Sequence, residues 1–299
     1  MNKFKSSLTT ASLCILCALS GGCEPKWDFG SIDFEPQIVV EGWIESGDFP
    51  CVCLSQTKTL DMPLDSAAIF DVAIRWAKVT VSDGTNSEIL TGRMDKRYVP
   101  PFVYTGSYLR GEPGKQYTLK VEYSGRTVTA TTSIPEPVSL DDITVSKCDD
   151  SDTLYQIKAY FQDNPTEKNY YKFFTQVIPT DKRYFSAFLG TFDDTVLPQS
   201  GKAEVEVYRG FRFTDLRKYT PFYKKQDTVS VKFTQVDREG FLFWSSYENE
   251  VTNGKNPIFP SSSNLKSNIT GGLGIWCGYG VSTYLVPIKK KTEDKKKGL

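Results

Sequence analysis

The sequence predicts a mainly β protein: an N-terminal immunoglobulin-like β-sandwich, followed by a second, aromatic-rich β domain with one short helix. From Phe34 onward, short runs rich in Val, Ile, Thr and aromatic residues alternate with turn residues. At least five such runs fall within about 100 residues at a spacing of roughly ten, which is the rhythm of a sandwich. Residues 160–250 hold 21 aromatic residues, more than half of those in the chain. That shift in composition separates the second β domain from the first.

The elements follow in order. Residues 1–22 read as a secretion signal: Lys3 and Lys5 precede a mainly apolar run, Leu8 to Leu19, that is too short to span a bilayer. The run ends in Leu19-Ser20-Gly21-Gly22-Cys23, which resembles the lipobox of bacterial lipoproteins, although its leucine stands four residues before the cysteine rather than three. Cys23 is therefore the expected lipid-attachment residue, and residues 23–36 the anchor and linker. Acyl chains contribute about 0.8 kcal/mol per buried methylene, so a multiply acylated cysteine holds a protein on a membrane durably. The other reading is an ordinary signal peptide cleaved near Gly22, leaving a plain thiol.

The sandwich is assigned to residues 37–135. Its strands are QIVVEGWI (37–44), PCVCLSQT (50–57), VAIRWAKVTVSDG (72–84), KQYTLKVEYSG (115–125) and RTVTATTSIP (126–135). Ser82-Asp83-Gly84 and Gly111-Glu112-Pro113-Gly114 are turn signals, and Ser124-Gly125 joins the last two strands as a hairpin. Pro135-Glu136-Pro137 stiffens the exit and marks the boundary before the second β-rich domain, residues 138–288. There, Tyr170-Tyr171, Phe173-Phe174 and Phe222-Tyr223 place one ring on each face of a strand. Rings on both faces imply a sheet packed between layers, or one that exposes a surface for sugars or a protein partner. One helix is expected: Asp237 caps it, Phe241, Trp244, Tyr247, Glu248 and Val251 follow at helical spacing, and Asn253-Gly254 closes it. Five glycines between Gly271 and Gly280 argue for kinked or tightly packed final strands. KKKTEDKKKGL (289–299) reads as a basic, disordered tail.

Cys14 and Cys17 drop out with the leader. Cys51, Cys53, Cys148 and Cys277 remain beside Cys23. Cys51 and Cys53, two apart on a strand, share a face and suit a core role. A Cys148–Cys277 disulfide and buried free thiols both remain open.

Several segments together resemble the Bacteroidota lipoprotein family catalogued as domain of unknown function 4249. They are the lipobox-like cysteine, VVEGWIESGDFPCVCLSQT, AKVTVSDG, GKQYTLKVEYSGRTVTATTSIPEPVSLDDI and, near the end, SNITGGLGIWCGYGVS. The resemblance runs over residues 23–288 and departs at Cys51 and Cys53, where the family tends to carry ordinary strand residues. It transfers no catalytic residue. It implies an outer-membrane lipoprotein encoded near TonB-dependent transporters and working alongside one.

Chemistry is narrowed chiefly by a single count: the chain has no histidine. That removes histidine triads, the histidine general base and His-containing zinc sites. Asp141-Asp142, the Asp149, Asp150 and Asp152 group, and Asp193-Asp194 could serve a carboxylate hydrolase or bind calcium. None has the spacing of a calcium loop, and solvated loop charge is their default. Asp-Ser-Ala (65–67), Asp-Thr-Leu (152–154) and Asp-Thr-Val (194–196 and 227–229) resemble a short O-glycosylation motif. With the leader and tail charges set aside, 28 basic residues face 34 acidic ones, about −6, which is unsuited to nucleic acid. The expectation is a non-enzymatic protein without cofactor or metal, lipid-anchored in the outer membrane on an undecided face. It would be an accessory of TonB-dependent nutrient uptake acting on glycan or peptide cargo. A glycan- or protein-binding adhesin and, further off, a carboxylate-based hydrolase are the alternatives.

Overall fold

A computed structural model describes residues 35–58, 70–210, 219–253 and 265–288. Cys23, the leader, the Asp65 motif and the tail lie outside these.

Among the described residues, the chain forms sixteen strands, one α-helix and a short 3-10 turn at Asp194–Val196. The first strands are β1 (Ile38–Glu45), β2 (Cys51–Gln56), β3 (Lys78–Ser82), β4 (Ser87–Ile89), β5 (Thr91–Met94), β6 (Phe102–Thr105), β7 (Gln116–Tyr123) and β8 (Arg126–Ser133). Then come β9 (Asp142–Lys147), β10 (Leu154–Gln162), β11 (Tyr170–Ile178), β12 (Phe185–Asp193), β13 (Lys202–Val207), β14 (Tyr223–Lys224) and β15 (Thr228–Val236). Helix α1 (Arg238–Asn253) and the long β16 (Leu273–Pro287) complete the order. The described residues are thus mainly β, with several sheets and a single prominent helix, as the patterning predicts. That helix is not long and apolar enough to cross a membrane.

An eight-stranded sheet, β12-β11-β15-β16-β1-β2-β6-β5, is the backbone of the molecule. On one face, two four-stranded sheets cover its two halves: β4-β3-β7-β8 over one end, and β9, β10, β13 and β14 over the other. Strand β16 runs through both halves. Its first part, Leu273–Tyr279, lies parallel to β1, and its second, Tyr279–Pro287, antiparallel to β15. The segment 37–135 is therefore completed by a strand from the chain's end, and both sandwiches fall in one unit of the chain.

Side-chain alternation sets the two faces. In β1, Ile38, Val40 and Ile44 enter the first core, while Glu41, Trp43 and Glu45 face the other way. In β7, Tyr117, Leu119 and Val121 are buried between exposed neighbours. The β7–β8 hairpin closes at Ser124-Gly125, both at positive φ (49° and 76°), the backbone that a two-residue primed turn requires. The run 72–84 supplies one strand only in its second part. Ala73 bridges to Ser55 on the large sheet, and residues 74–77 then turn the corner into β3 on the small one.

The paired aromatics of the second half are packing. Tyr171, Phe173, Phe161 and Phe233 stack within the second core, while Tyr170 and Phe174 pack on the opposite face under α1. Asp237 caps α1 by accepting from Gly240 N at 2.8 Å, and its other oxygen accepts from Thr132 Oγ1 at 2.6 Å and Ser133 N at 3.1 Å. One carboxylate thus ties the helix start to β8. The final glycines mark tight packing: a Cβ on Gly278 would meet Ser133 O at 2.3 Å, and one on Gly274, at φ +107°, would meet Val40 O at 1.9 Å.

Candidate functional site

The face of the large sheet opposite the two cores is only partly covered. Helix α1 shields Ile275, Cys277 and Tyr279. Beside it, Cys51, Cys53 and Val103 make a small apolar floor, over which Trp43 and Tyr98 pack half-buried. Trp43 reaches this side because it alternates with Val40 and Ile44, and it stands opposite Cys51 in the β1–β2 register.

Tyr98 comes from the β5–β6 connection. Its N–H donates to Asp95 O at 3.2 Å, and Asp95 is paired with Arg97 at 2.6 Å. The Trp43 and Tyr98 rings lie 5.7 Å apart, tilted by 36°. Arg183 enters from the β11–β12 loop of the other sandwich. Its guanidinium sits 5.2 Å from the Tyr98 ring, 5.1 Å from that of Phe185 and 3.8 Å from the Glu41 carboxylate. Further along the face, Lys232 donates to both oxygens of Glu45 at 2.7 Å and lies 4.2 Å from the Tyr184 ring. Tyr184 Oη in turn shares a 2.7 Å hydrogen bond with Ser230 Oγ. Rings and charged groups from both sandwiches thus converge on one shallow surface.

The electrostatics favour contact over reaction. Burial, reinforced by Glu41, pushes the Cys51 thiol up to about 12, with Arg93 and Arg97 opposing. Burial and Glu41 likewise raise Cys53, and burial raises the Tyr98 hydroxyl. Thiols held protonated are poor nucleophiles and serve as small apolar surface. The hydrogen bond from Arg97 holds Asp95 below the usual carboxylate range, against the opposing effect of burial.

The sequence-derived candidates do not gather here. Cys51 and Cys53 do share a face; Cys148 lies beyond β9 and Cys277 is buried beneath α1, and all four are free thiols. Among the described residues, no group of three or more Cys, Asp or Glu side chains is placed to hold a metal ion. Lys168 pairs with both Asp193 and Asp194, and Lys147 with Asp152. Asp141 and Asp142 line an open groove of about 440 Å³ between β9 and the end of β16. Only Asp142 lies in β9; Asp141 precedes it in a bend, its N–H donating to Tyr160 O at 2.7 Å. Thr195 Oγ1 donates to Asp193, within a short turn. The Trp43–Tyr98–Arg183 cluster escaped sequence reading because its members lie far apart in the chain. The one local signal was Trp43, a large ring on the solvent phase of an alternating strand.

Among curated proteins, none matches the chain. The model of a family described as a domain of unknown function, DUF4249, matches residues 26–284, nearly the whole of the described body and the segments carrying the glycine-rich closing strand. The chain belongs to the DUF4249 family.

Proposed function

We propose that this protein is a non-enzymatic outer-membrane lipoprotein, anchored through Cys23, that serves as an accessory or binding component of a TonB-dependent nutrient uptake system. On this reading the Trp43–Tyr98–Arg183 face holds its partner, a transporter barrel. The observation that carries the proposal is the composition of that face. Trp, Tyr and Arg dominate the energetics of protein–protein contacts, because they combine large apolar area with a polar or charged tip. Here all three types lie half-buried, pre-packed and supported by ion pairs, so little ordering entropy remains to be lost on binding.

Co-purification from solubilised native outer membranes tests the reading. A TonB-dependent barrel should be recovered with the wild-type protein and lost with Arg183→Glu, which sets a like charge beside Glu41 without opening the core. Recovery of no barrel overturns it. The aromatic face also fits the alternative of sugar stacking. A glycan-array signal abolished by Trp43→Ala would replace the transporter partner with a carbohydrate.

A further inference from the structure

The opposite end of the first sandwich carries the most exposed large apolar side chain among the described residues. Trp76 is 89% exposed, on the corner between the large sheet and β3. Phe70, 44% exposed, belongs to the same short connection, where its carbonyl accepts from Arg75 Nη2 at 3.0 Å. Leu273, 42% exposed, begins β16 beside Val39.

Several contacts place these residues at the end where the chain enters the sandwich. Thr57 N donates to Gln37 O at 3.0 Å, and Gln37 N to Thr57 Oγ1 at 2.9 Å. Arg126, at the tip of the β7–β8 hairpin, donates to Pro36 O. Lys78, two residues after Trp76, stands opposite Glu122 near the same tip. Arg75, Lys78, Lys120 and Arg126 are all exposed here, with Glu35, Asp71 and Glu122 as the local acids; Lys78 and Lys120 share Glu122, at 3.4 and 2.9 Å. In a body that is acidic as a whole, these side chains carry a small positive balance, four basic against three acidic.

We infer that this end rests on the membrane, with Trp76 inserted at the level of the lipid headgroups and the surrounding Arg and Lys side chains against anionic phosphates. The inference rests on the reading of Cys23 as the lipid anchor. Twelve residues, thirteen Cα–Cα steps, separate Cys23 from Pro36. They span at most ~45 Å, so the tether delivers this end to the bilayer without fixing its orientation. Tryptophan supplies the orientation, since its flat ring and N–H favour the interface between hydrocarbon and water. Basic side chains add roughly 1 kcal/mol each near an anionic surface. Trp43 lies seven residues along β1 from Pro36, so this docking holds the partner-binding face roughly 20 Å above the lipid. A protruding Trp on a strand corner also suits a contact with a second copy of this chain. The cationic rim and the incoming tether favour lipid.

The test uses the mature acylated protein in vesicles of phosphatidylethanolamine and phosphatidylglycerol whose acyl chains are brominated near the headgroup. Trp27→Phe is the common background, because Trp27 lies in the tether. Bromolipid should quench part of the tryptophan emission, and Trp76→Phe should abolish that quenching while the fold, at so exposed a position, is unchanged. Quenching that is absent, or unaffected by Trp76→Phe, overturns the inference. A second arm uses the unacylated Cys23→Ser chain with the same anionic vesicles. Salt-sensitive co-sedimentation that falls roughly tenfold in Trp76→Ala supports the inference, and no co-sedimentation overturns it, as does a Trp76-dependent dimer in the absence of lipid. Mass analysis of Cys23 in the native protein reports on the anchor separately: an unacylated Cys23 refutes the anchor, and the second arm then decides the docking surface alone.

Discussion

The two sandwiches fill the same gap in different ways. In the first, aliphatic side chains such as Val40, Val52, Leu54, Val79, Val81 and Leu119 interdigitate around three rings, Tyr104, Tyr117 and Trp276, and Trp276 Nε1–H donates to Tyr117 O at 3.0 Å. In the second, Phe161, Tyr171, Phe173 and Phe233 form a stack with ring centroids 4.6–5.4 Å apart. Branched aliphatics tolerate many arrangements of similar volume, whereas stacked and tilted rings prefer particular geometries. The first core is therefore generic and the second specific, and closure by β16 serves both: Trp276 enters the first and Val286 the second. The partner-binding face draws on both, which is why it lies where the two halves share one sheet.

The largest effect is expected at that closure. Gly274→Val drives a side chain into Val40 O at a positive φ, so β1 and β16 cannot pair. Thermal unfolding of the variant should show no native transition for the first sandwich. If the second retains a separate transition, the two halves are energetically independent; if both are lost, the shared sheet makes them one cooperative unit.

Truncations in the two cores sharpen the contrast. Phe233→Ala should cost about 4 kcal/mol and Val121→Ala about 2 kcal/mol in denaturant titrations, because the vacated ring leaves a cavity that its rigid neighbours cannot fill. Equal costs would show that the ring stack collapses as readily as the aliphatic core.

Next comes the tie between helix and sheet. Asp237→Ala removes the cap of α1 and leaves Thr132 Oγ1 and Ser133 N without that acceptor. A loss of about 2 kcal/mol is expected, against about 1 kcal/mol for a cap alone, measured by chemical denaturation.

Glu88 gives the first sandwich a pH dependence. Burial alone would raise its carboxyl, but the Leu109 and Ser107 N–H groups and the Ser107 hydroxyl outweigh this and hold it below its ordinary value near 4.5. Its stabilisation is complete above the unfolded-state value and is lost as pH falls through the lowered one. Glu88→Gln should remove this part of the acid sensitivity, so that stability measured by denaturant titration falls less steeply below pH 5 than in the wild type. The smallest perturbation is chemical: in native protein at pH 8, iodoacetamide should modify half-exposed Cys148 first, with Cys51, Cys53 and Cys277 reacting only on unfolding.

Local patterning carried much of the fold. The alternation in 37–44 and 115–133, the Ser124-Gly125 turn and the Asp237 cap each depend on neighbours within a few residues, so each was legible. The corner at 72–77 was not. Its residues look like strand, but the backbone leaves one sheet for another there, and only contacts with Ser55 and β7 decide where. The binding face was opaque for the same reason, since Trp43, Tyr98 and Arg183 come from three separate elements.

By itself, the sequence determined the strand content, the paired rings on opposite faces, the close-packed glycines and the absence of histidine chemistry. These follow from side-chain volume, backbone freedom and composition, which are local properties. The tertiary structure alone decided that β16 returns to lie parallel to β1, that one sheet serves two cores, and that the open side of this sheet gathers rings and ion pairs from both. Those outcomes depend on which distant surfaces bury one another best. That choice is made by the whole chain at once.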